Sequence, residues 1–391
     1  MLQLLPERSR CVSRLCYHFF ALLLASLSTA GLFAQGFAPS EAVKQMTVAA
    51  GYEVELVASE PLVRQPVSIE FDDRGRLWVI QYLQYPNPAG LKRVKVDQHT
   101  RSQYDRVPEP PPHGPRGADR LTILEDTDHD GRFDQAHDFV DGLNLASGFA
   151  LGNGGVYVLQ APYLLFYPDR NRDDKPDENP EVLLKGFGMD DASAVANSLT
   201  WGPDGWLYGR HGITDSSLVG TPETEPSRRT LIHCGIWRYH PHRKIVEEVS
   251  SGTTNPWGFD YDEYGQMFFT NNVNGHLWHM IPGSHYIRMS GHGSDPNPYA
   301  YELMTKCADH DHWDSSSGKW TDSRDTSGVH GELGGGHSHC GGMIYLGDNW
   351  PAKYRNSIFL CNTHGHRVNN DALVREGSGY KGTHRPDFLL T

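Results

Sequence analysis

"WGPDGWLY" (residues 201–208) is one copy of an eight-residue pattern that recurs along this chain of 391 residues. "FDDRGRLW" (71–78) and "YDEYGQMF" (261–268) share its frame: an aromatic residue, glycine four positions later, then Leu or Met, then a second aromatic residue. "LGNGGVYV" (151–158) is a looser copy. Polar residues and glycine between two apolar positions are typical of a β-hairpin. The repeat therefore predicts hairpins at regular places in the chain.

A further apolar strand follows most copies, and a fifth unit comes near the end of the chain. The strands are "RLTILED" (120–126), "YLLFYPD" (163–169), "GIWRYHP" (235–241) and "GHLWHMI" (275–281), and the fifth unit is "GGMIYLGDNW" (341–350) with "NSIFLCN" (356–362). Such spacing, with long insertions at 84–119 and 283–336, indicates an all-β protein, a β-propeller of the six-bladed type with about five blades present. A β-sandwich is the alternative, but it needs no repeated hairpin.

Because a propeller closes by pairing its last blade with its first, we expect this one to be incomplete at the C-terminus. The predicted domains are a signal peptide (1–34), a linker (35–47) and a propeller (48–391). Arg8, Arg10 and Arg14 precede the apolar run "FFALLLASLSTAGLFA" (19–34), which is typical of a secretory signal. We therefore expect an exported protein, periplasmic or extracellular. The alternative is an uncleaved membrane anchor.

The charge excludes one class of partner. With 35 basic and 48 acidic residues the formal charge is −13, so the chain has no general attraction for nucleic acid.

Four longer stretches carry a resemblance to a known family. They are "DGLNLASGFALGNGGVYVLQAPYLLFYPDRNRDDKPDE" (141–178), "WGPDGWLYGRHG" (201–212), "NPWGFDYDEYGQMFFTNN" (255–272) and "GDNWPAKYRNSIFLCNTHGHRVN" (347–369). The chain resembles the propeller region of the large exported membrane-bound dehydrogenase-like proteins of planctomycete-type bacteria, also described as PVC-type haem-binding proteins. These are similar to the quinoprotein glucose and sorbosone dehydrogenases, which are six-bladed propellers.

The resemblance implies a redox enzyme acting on a sugar or polyol, with pyrroloquinoline quinone as cofactor and a cytochrome domain as electron acceptor. The chain has no C-x-x-C-H motif, so we expect no covalent haem. The resemblance also implies a catalytic histidine seven residues before Trp201, where this chain has Ala194. His211 is the candidate substitute base, because a histidine pKa is near neutral. The alternative is a hydrogen-bonded loop histidine.

We expect the ligand to be held by loops at one end of the propeller. The candidate side chains, besides His211, are Arg210, Asn255, Trp257, Asn271 and Asn272. Trp257 has a ring that suits stacking on a sugar or a planar quinone. The competing function is that of a non-catalytic carbohydrate- or protein-binding propeller, which the alanine at 194 favours.

Two acidic stretches match the opening of a calcium loop, in which alternate oxygen ligands converge while the backbone turns sharply. The first, "DTDHDGRFD", offers Asp126, Asp128, Asp130 and Asp134, and the weaker second, "DRNRDDKPDE", offers Asp169, Asn171, Asp173 and Asp177. The alternative is a pair of solvated acidic turns.

Histidines are concentrated near the end of the chain, where three H-x-H pairs occur: His310 and His312, His337 and His339, and His364 and His366. On strands, each pair would point to one face, and the pairs predict a shared transition-metal site. The alternative is polar loops with each histidine bonded to the backbone.

Cys340 and Cys361 lie on the two strands of the fifth hairpin. A turn near residues 350 and 351 would put them opposite each other. In an oxidising compartment this predicts a disulfide rather than two metal thiolates.

Overall fold

The computed structural model describes residues 36–98, 101–272, 275–288, 303–304, 306–307, 334–336 and 338–391. The predicted signal peptide lies outside these residues. The described chain begins with the seven-residue helix α1 (Pro39–Gln45), in which no residue is buried. No helix in the described part is long and apolar enough to cross a membrane. Residues Gln45–Thr391 form one compact unit that contains every strand.

The unit consists of five sheets in chain order, after the short strand β1 (Thr47–Val48). Sheet one contains β2 (Pro66–Phe71), β3 (Leu77–Gln81), β6 (Asp119–Glu125) and β7 (Gln135–Leu143). Between β3 and β6 the chain forms a separate hairpin of β4 (Arg93–Val96) and β5 (Ser102–Tyr104). Sheet two contains β8 (Ala146–Gly152), β9 (Gly155–Gln160), β10 (Tyr163–Pro168) and β11 (Glu181–Lys185).

Sheet three begins with β12 (Asn197–Trp201) and β13 (Leu207–His211). A second hairpin, β14 (Ser217–Val219) and β15 (Thr230–Ile232), encloses a 3₁₀ turn at Pro226–Arg228, and β16 (Gly235–His240) and β17 (Ile245–Gly252) follow. Sheet four contains β18 (Pro256–Tyr261), β19 (Met267–Asn271) and β20 (Leu277–Met280), after which β21 (His285–Tyr286) joins the edge of sheet three. Sheet five contains β22 (His339–Ile344), a 3₁₀ turn at Ala352–Tyr354, β23 (Ser357–Asn362), β24 (Arg367–Glu376) and β25 (Gly379–Leu390), with β1 paired to β25.

Each sheet is an antiparallel meander, and each first strand contacts the first strand of the next sheet. Successive meanders joined in this way make a β-propeller, so the predicted fold class is confirmed. All four copies of the repeat are hairpins between the first and second strands, as predicted. The first strand of every sheet also has a bulge near its start, which the sequence pattern did not predict.

The core lies between the sheets. Trp78, Ile123 and Phe149 pack between sheets one and two, and Trp237 is fully buried between sheets two and three. Similar clusters join sheets three to four and four to five. Burying an aliphatic or aromatic side chain of this size contributes about 1.5–3 kcal/mol. These clusters therefore hold neighbouring sheets in fixed positions relative to each other.

The two ends of the sheets differ. The turns between first and second strands, at 72–76, 202–206 and 262–266, define one end, which we call the turn face. Links from one sheet to the next, and links between second and third strands, lie at the other end, the loop face. The insertion 84–119 joins β3 to β6 at the loop face. The described ends of the insertion 283–336 also lie there, beside Gly252 and Asn362.

Candidate functional site: the loop face

The loop face brings together the predicted ligand residues. Arg210 and His211 end β13, and Asn271 ends β19. Asn255 lies in the link from sheet three to sheet four, and Trp257 follows at the start of β18. Three separate segments thus meet at the same end of two neighbouring sheets.

A hydrogen-bonding side chain ends the second strand of every sheet. In sheets one, two and four this residue is Gln81, Gln160 or Asn271. Its side-chain oxygen accepts a hydrogen bond from a backbone N–H of the link that enters the same sheet, at 2.9, 2.8 and 2.9 Å respectively. In sheet five the amide donates to two carbonyls of the entering link. In these four sheets the side chain at this position, which is Gln81, Gln160, Asn271 or Asn362, fixes the entering link. In sheet three the same position is occupied by His211.

His211 belongs to that repeated position and is fully buried. Its Nδ1 lies 2.9 Å from the Gly212 carbonyl, so this nitrogen carries the proton, and Nε2 accepts from the Ser217 hydroxyl at 2.6 Å. Burial lowers the pKa of His211 to about 4. Ala194 is beside it, also fully buried. His211 is therefore neutral, bonded at both nitrogens and inaccessible to a substrate in this structure, which favours the hydrogen-bonded alternative over the catalytic one.

Arg210 is also buried, at 2 % exposure, and lies between sheets three and four. It donates from Nη2 to the Thr200 hydroxyl at 3.1 Å and to the Phe259 carbonyl at 3.2 Å, and its guanidinium lies 5.0 Å from the Phe259 ring centre. Burial lowers the pKa of Arg210 to about 9. These contacts join the two sheets rather than reach a ligand.

The remaining predicted residues divide into two groups. Asn255 and Asn271 are tied to backbone groups: the Asn255 Oδ1 accepts from Ile213 N at 3.0 Å, and the Asn271 Oδ1 accepts from the Asn255 N–H. Trp257 and Asn272 are only partly buried. Trp257 occupies the bulge at the start of β18, where the strand leaves its regular register. Asn255 is partly exposed as well, whereas Arg210, His211 and Asn271 are buried. The Asn272 Oδ1 atom is buried and, among the described residues, has no hydrogen-bond partner.

A polar network that the sequence analysis missed lies at the loop face of sheets four and five. His276 Nε2 and Asp371 Oδ2 are 2.6 Å apart, at 1 % and 0 % exposure. His384 Nδ1 lies 3.3 Å from the other Asp371 oxygen. The His276 ring is 5.0 Å from the His339 ring. No local pattern predicts this network, because its members come from three strands and a link far apart in the chain.

The glycines before His337 have a steric role. A Cβ on Gly334 would lie 2.8 Å from Asn369 and 2.9 Å from the His384 ring, and one on Gly336 would lie 2.4 Å from the Gly365 nitrogen. The backbone therefore passes through a gap that only glycine fits.

Cys340 and Cys361 are paired across the β22–β23 ladder, which is the register that the sequence predicted. Both sulfurs are free thiols in the structure. The predicted disulfide therefore stays a prediction.

The predicted histidine cluster is only partly described. His310, His312 and His337 lie outside the described residues. His364 and His366 occupy a turn between β23 and β24, with a left-handed φ of 52° at His366. Among the described residues, no group of three metal-binding side chains includes these histidines. The shared transition-metal site stays a prediction.

The two predicted calcium loops lie on the turn face, between the third and outer strands of sheets one and two. They share one conformation, with left-handed φ at His129 and Gly131 in the first and at Arg172 and Asp174 in the second. The leading aspartate of each loop accepts backbone N–H groups four and five residues later. One oxygen each of Asp126, Asp128 and Asp130 lies within 4.8 Å of the others.

The last predicted ligand of each loop closes the turn instead. Asp134 accepts the Thr127 N–H and hydroxyl at 2.9 and 2.6 Å, and Asp177 accepts the Arg170 N–H at 2.8 Å. In the second loop Asp174 pairs with Arg76 at 2.6 Å, and Asn171 Oδ1 accepts from Asp173 N at 3.0 Å.

A second cluster of side chains with metal-binding atoms close together contains Glu125, His137 and Asp174. Arg76 donates to both carboxylates, at 2.8 and 2.6 Å. Its guanidinium supplies the positive charge that a metal ion would bring, so this group is an ion-pair network rather than a metal site.

Asp215 is buried at the loop face of sheet three, at 3 % exposure, and among the described residues its Oδ2 has no hydrogen-bond partner. Burial, with the nearby charges of Asp190 and Asp191, raises the pKa of Asp215 to about 7. The pKa of this carboxyl is therefore higher in the folded protein, about 7, than in the unfolded chain, about 4. Such a group lowers the free energy of unfolding as the pH rises from the unfolded pKa to the folded pKa.

We expect Asp215→Asn to raise the free energy of unfolding by about 2 kcal/mol at pH 8 and to leave it nearly unchanged at pH 4. Asparagine keeps the oxygen that accepts the Asp190 N–H but carries no charge. Urea titrations at the two pH values measure this, with the exposed Asp141→Asn as control. An equal effect at both pH values would contradict the assigned pKa.

These observations define an all-β propeller whose loop face carries partly buried polar groups. The family described as "Domain of unknown function (DUF7133)" matches residues 38–390, and the chain belongs to this family. No curated protein matches the chain.

Three similar solved structures are propeller-type proteins of low identity. A Trichoderma reesei protein of Carbohydrate-Active Enzymes Family AA12, in a calcium structure, is 13% identical with a TM-score of 0.49, covering 88% of each chain. The PQQ-bound aldose sugar dehydrogenase of Streptomyces coelicolor is 13% identical with a TM-score of 0.43, covering 88% of this chain and 85% of that one. The periplasmic gluconolactonase of Pseudomonas aeruginosa is 13% identical with a TM-score of 0.41, covering 82% and 72%.

Proposed function

We propose that the protein is a sugar- or polyol-binding propeller that holds its ligand on the loop face of sheets three and four. The observation that carries this proposal is the position of Trp257. Its partly exposed side chain lies at the bulge of β18, and β18 pairs with β19, whose end is followed by the partly exposed Asn272. An aromatic ring beside an amide is a usual arrangement for stacking a sugar ring and bonding its hydroxyls.

Quinone-dependent oxidation is the second candidate, and it rests on the sequence resemblance. Oxidation of a sugar hydroxyl needs a base that touches the substrate. The expected position is Ala194, and His211 is neutral and enclosed. The residues present therefore do not fit the quinone mechanism of the family that the chain resembles, and we derive no step through pyrroloquinoline quinone. The binding function is the better supported of the two.

Calorimetric titration of neutral sugars and polyols into the protein tests the proposal. We expect at least one of them to bind, and Trp257→Ala to weaken it about tenfold or more, because stacking by one ring is worth about 1–3 kcal/mol. The exposed Tyr264→Ala on the turn face is the control. Turnover of the same sugars with added quinone, calcium and an electron-accepting dye would instead favour the dehydrogenase.

We also propose that the first acidic loop binds calcium, supported by the convergence of Asp126, Asp128 and Asp130. Bringing carboxylates this close is unfavourable without a cation, so a chelator is expected to lower the melting temperature of the native protein by a few degrees. Asp128→Ala should abolish that sensitivity, whereas Asp141→Asn on the same sheet should keep it. Melting curves that coincide with and without chelator would contradict a calcium site.

Export to the periplasm or the cell exterior, and a cytochrome domain as partner, remain part of the proposal. They rest on the N-terminal signal pattern and on the sequence resemblance. Fractionation of cells that express the chain, followed by N-terminal sequencing of the exported form, tests the first.

A further inference from the structure

A cavity of about 710 Å³ lies apart from the Trp257 site, between the β4–β5 hairpin and sheets two and three. The hairpin is fastened there by a hydrogen bond of 2.6 Å from the Ser102 N–H to the Asp190 carbonyl. The volume is within the range of small-molecule sites, about 300–1,000 Å³. None of the predicted ligand residues lines this cavity.

Three cationic residues line the cavity, of which Arg106 is paired with Asp105. The other two are Lys185 and Arg229. Lys185 pairs through its backbone with Gly220, and the Arg229 side chain packs across Gly220 and Gly186. A Cβ on Gly186 would lie 2.0 Å from the Leu218 carbonyl oxygen, so the close approach of these two backbone segments requires glycine, and Arg229 Nη1 lies beside it at 3.6 Å. Within the described part of the chain, neither Lys185 nor Arg229 has an ion-pair or side-chain hydrogen-bond partner. Two adjacent cations without a counter-ion favour a ligand that carries negative charge.

The rest of the lining has a different character. Phe187 packs on the Trp237 ring, and the Tyr163 hydroxyl donates to the Pro108 carbonyl at 2.6 Å, so both rings are held in the wall with little exposure. The apolar side chains that are exposed in the lining are Val94 and Val107. Asp190 is exposed in the same lining. A carboxylate of this kind accepts hydrogen bonds from hydroxyl groups. The cavity therefore combines cations, exposed apolar side chains and a hydroxyl acceptor.

We propose that this cavity binds a carboxylated sugar, a uronate or an aldonate. The sugar carboxylate pairs with Arg229 and Lys185, one carbon face lies against Val94 and Val107, and hydroxyls donate to Asp190. This inference goes beyond the proposed function and uses different residues, so either can fail without the other.

Calorimetric titration at low salt with glucuronate, galacturonate, gluconate, glucose and acetate tests the inference on the full chain. We expect at least one acidic sugar to bind ten times more tightly than glucose or acetate. The acidic sugar that binds most tightly shows whether the natural ligand is a uronate or an aldonate. If acetate binds as tightly as the acidic sugars, the site is a general anion site and the proposal is overturned. The proposal is also overturned if glucose binds as tightly as the acidic sugars, or if no acidic sugar binds.

Matched variants locate the binding. Arg229→Gln and Lys185→Gln should each weaken the acidic sugar at least tenfold, while Arg228→Gln, an exposed neighbour in the same segment, should not. Trp257→Ala should leave this affinity unchanged, which separates the cavity from the proposed sugar site. If Arg229→Gln lowers the melting temperature, Lys185→Gln decides alone. Retained affinity in Lys185→Gln, or equal losses in Arg229→Gln and Arg228→Gln, would contradict the assignment.

Discussion

Replacing Asp371 with alanine is expected to lower the free energy of unfolding by about 3–5 kcal/mol, the cost of removing one partner from a buried charged pair. Asp371 is fully buried and contacts His276 at 2.6 Å and His384 at 3.3 Å. His276 precedes β20 in sheet four, whereas Asp371 and His384 lie in sheet five. The variant therefore breaks a polar connection between two sheets. Denaturant titration at neutral pH measures the loss.

Asp141→Asn serves as control, because Asp141 is 60% exposed in its ion pair with Arg116 and such pairs contribute only about 0–1 kcal/mol. Asp371→Asn should cost less than Asp371→Ala, since asparagine still accepts one hydrogen bond. A change of less than about 1 kcal/mol in Asp371→Ala would show that the network does not join the sheets.

Trp237→Ala is expected to cost about 3–5 kcal/mol, because it empties the interface between sheets two and three. The indole is fully buried, lies 5.0 Å from the Phe187 ring and donates to the Arg210 carbonyl at 3.1 Å. Its ring lies so close to Gly209 that an added Cβ would come within 2.2 Å of it. Gly209→Ala is therefore also expected to destabilise the protein, by about 1–3 kcal/mol, through overpacking.

The double variant Gly209→Ala with Trp237→Phe tests that contact directly. A smaller ring leaves room for the methyl group, so the two changes together should cost less than the sum of the single changes. Denaturant titration of the four proteins in this cycle gives the coupling. Strictly additive losses would mean that the Gly209 methyl does not meet the indole.

Local patterns in the sequence predicted the hairpins, because a hairpin depends on the turn residues and on the apolar positions beside them. The register of Cys340 opposite Cys361 followed from the same logic. The "HGH" pair lies in a turn, and whether it shares a metal with the other histidines depends on distant segments that no local pattern places. The His276–Asp371 contact joins residues 95 positions apart, and a single sequence has no signal for it.

The candidate site was predicted only in part, for a related reason. Polar residues at the ends of strands suggested a ligand, yet Asn271 fixes the link into sheet four and His211 is bonded to Gly212 and Ser217. The signal that distinguishes the two roles is present in the sequence: every second strand ends in Gln, His or Asn. A residue that recurs once per sheet serves the repeat itself, whereas Trp257 has no counterpart in the other sheets, where Val67, Ser147 and Ser198 occupy the bulge.

We have proposed that the loop face of sheets three and four binds a sugar or polyol. A crystal structure of the protein with the neutral sugar that binds most tightly in calorimetry would show where the ligand lies. We expect the sugar ring against Trp257, with a hydroxyl bonded to Asn272. A sugar bound at the turn face or at the outer edge of a sheet, with Trp257 untouched, would contradict it.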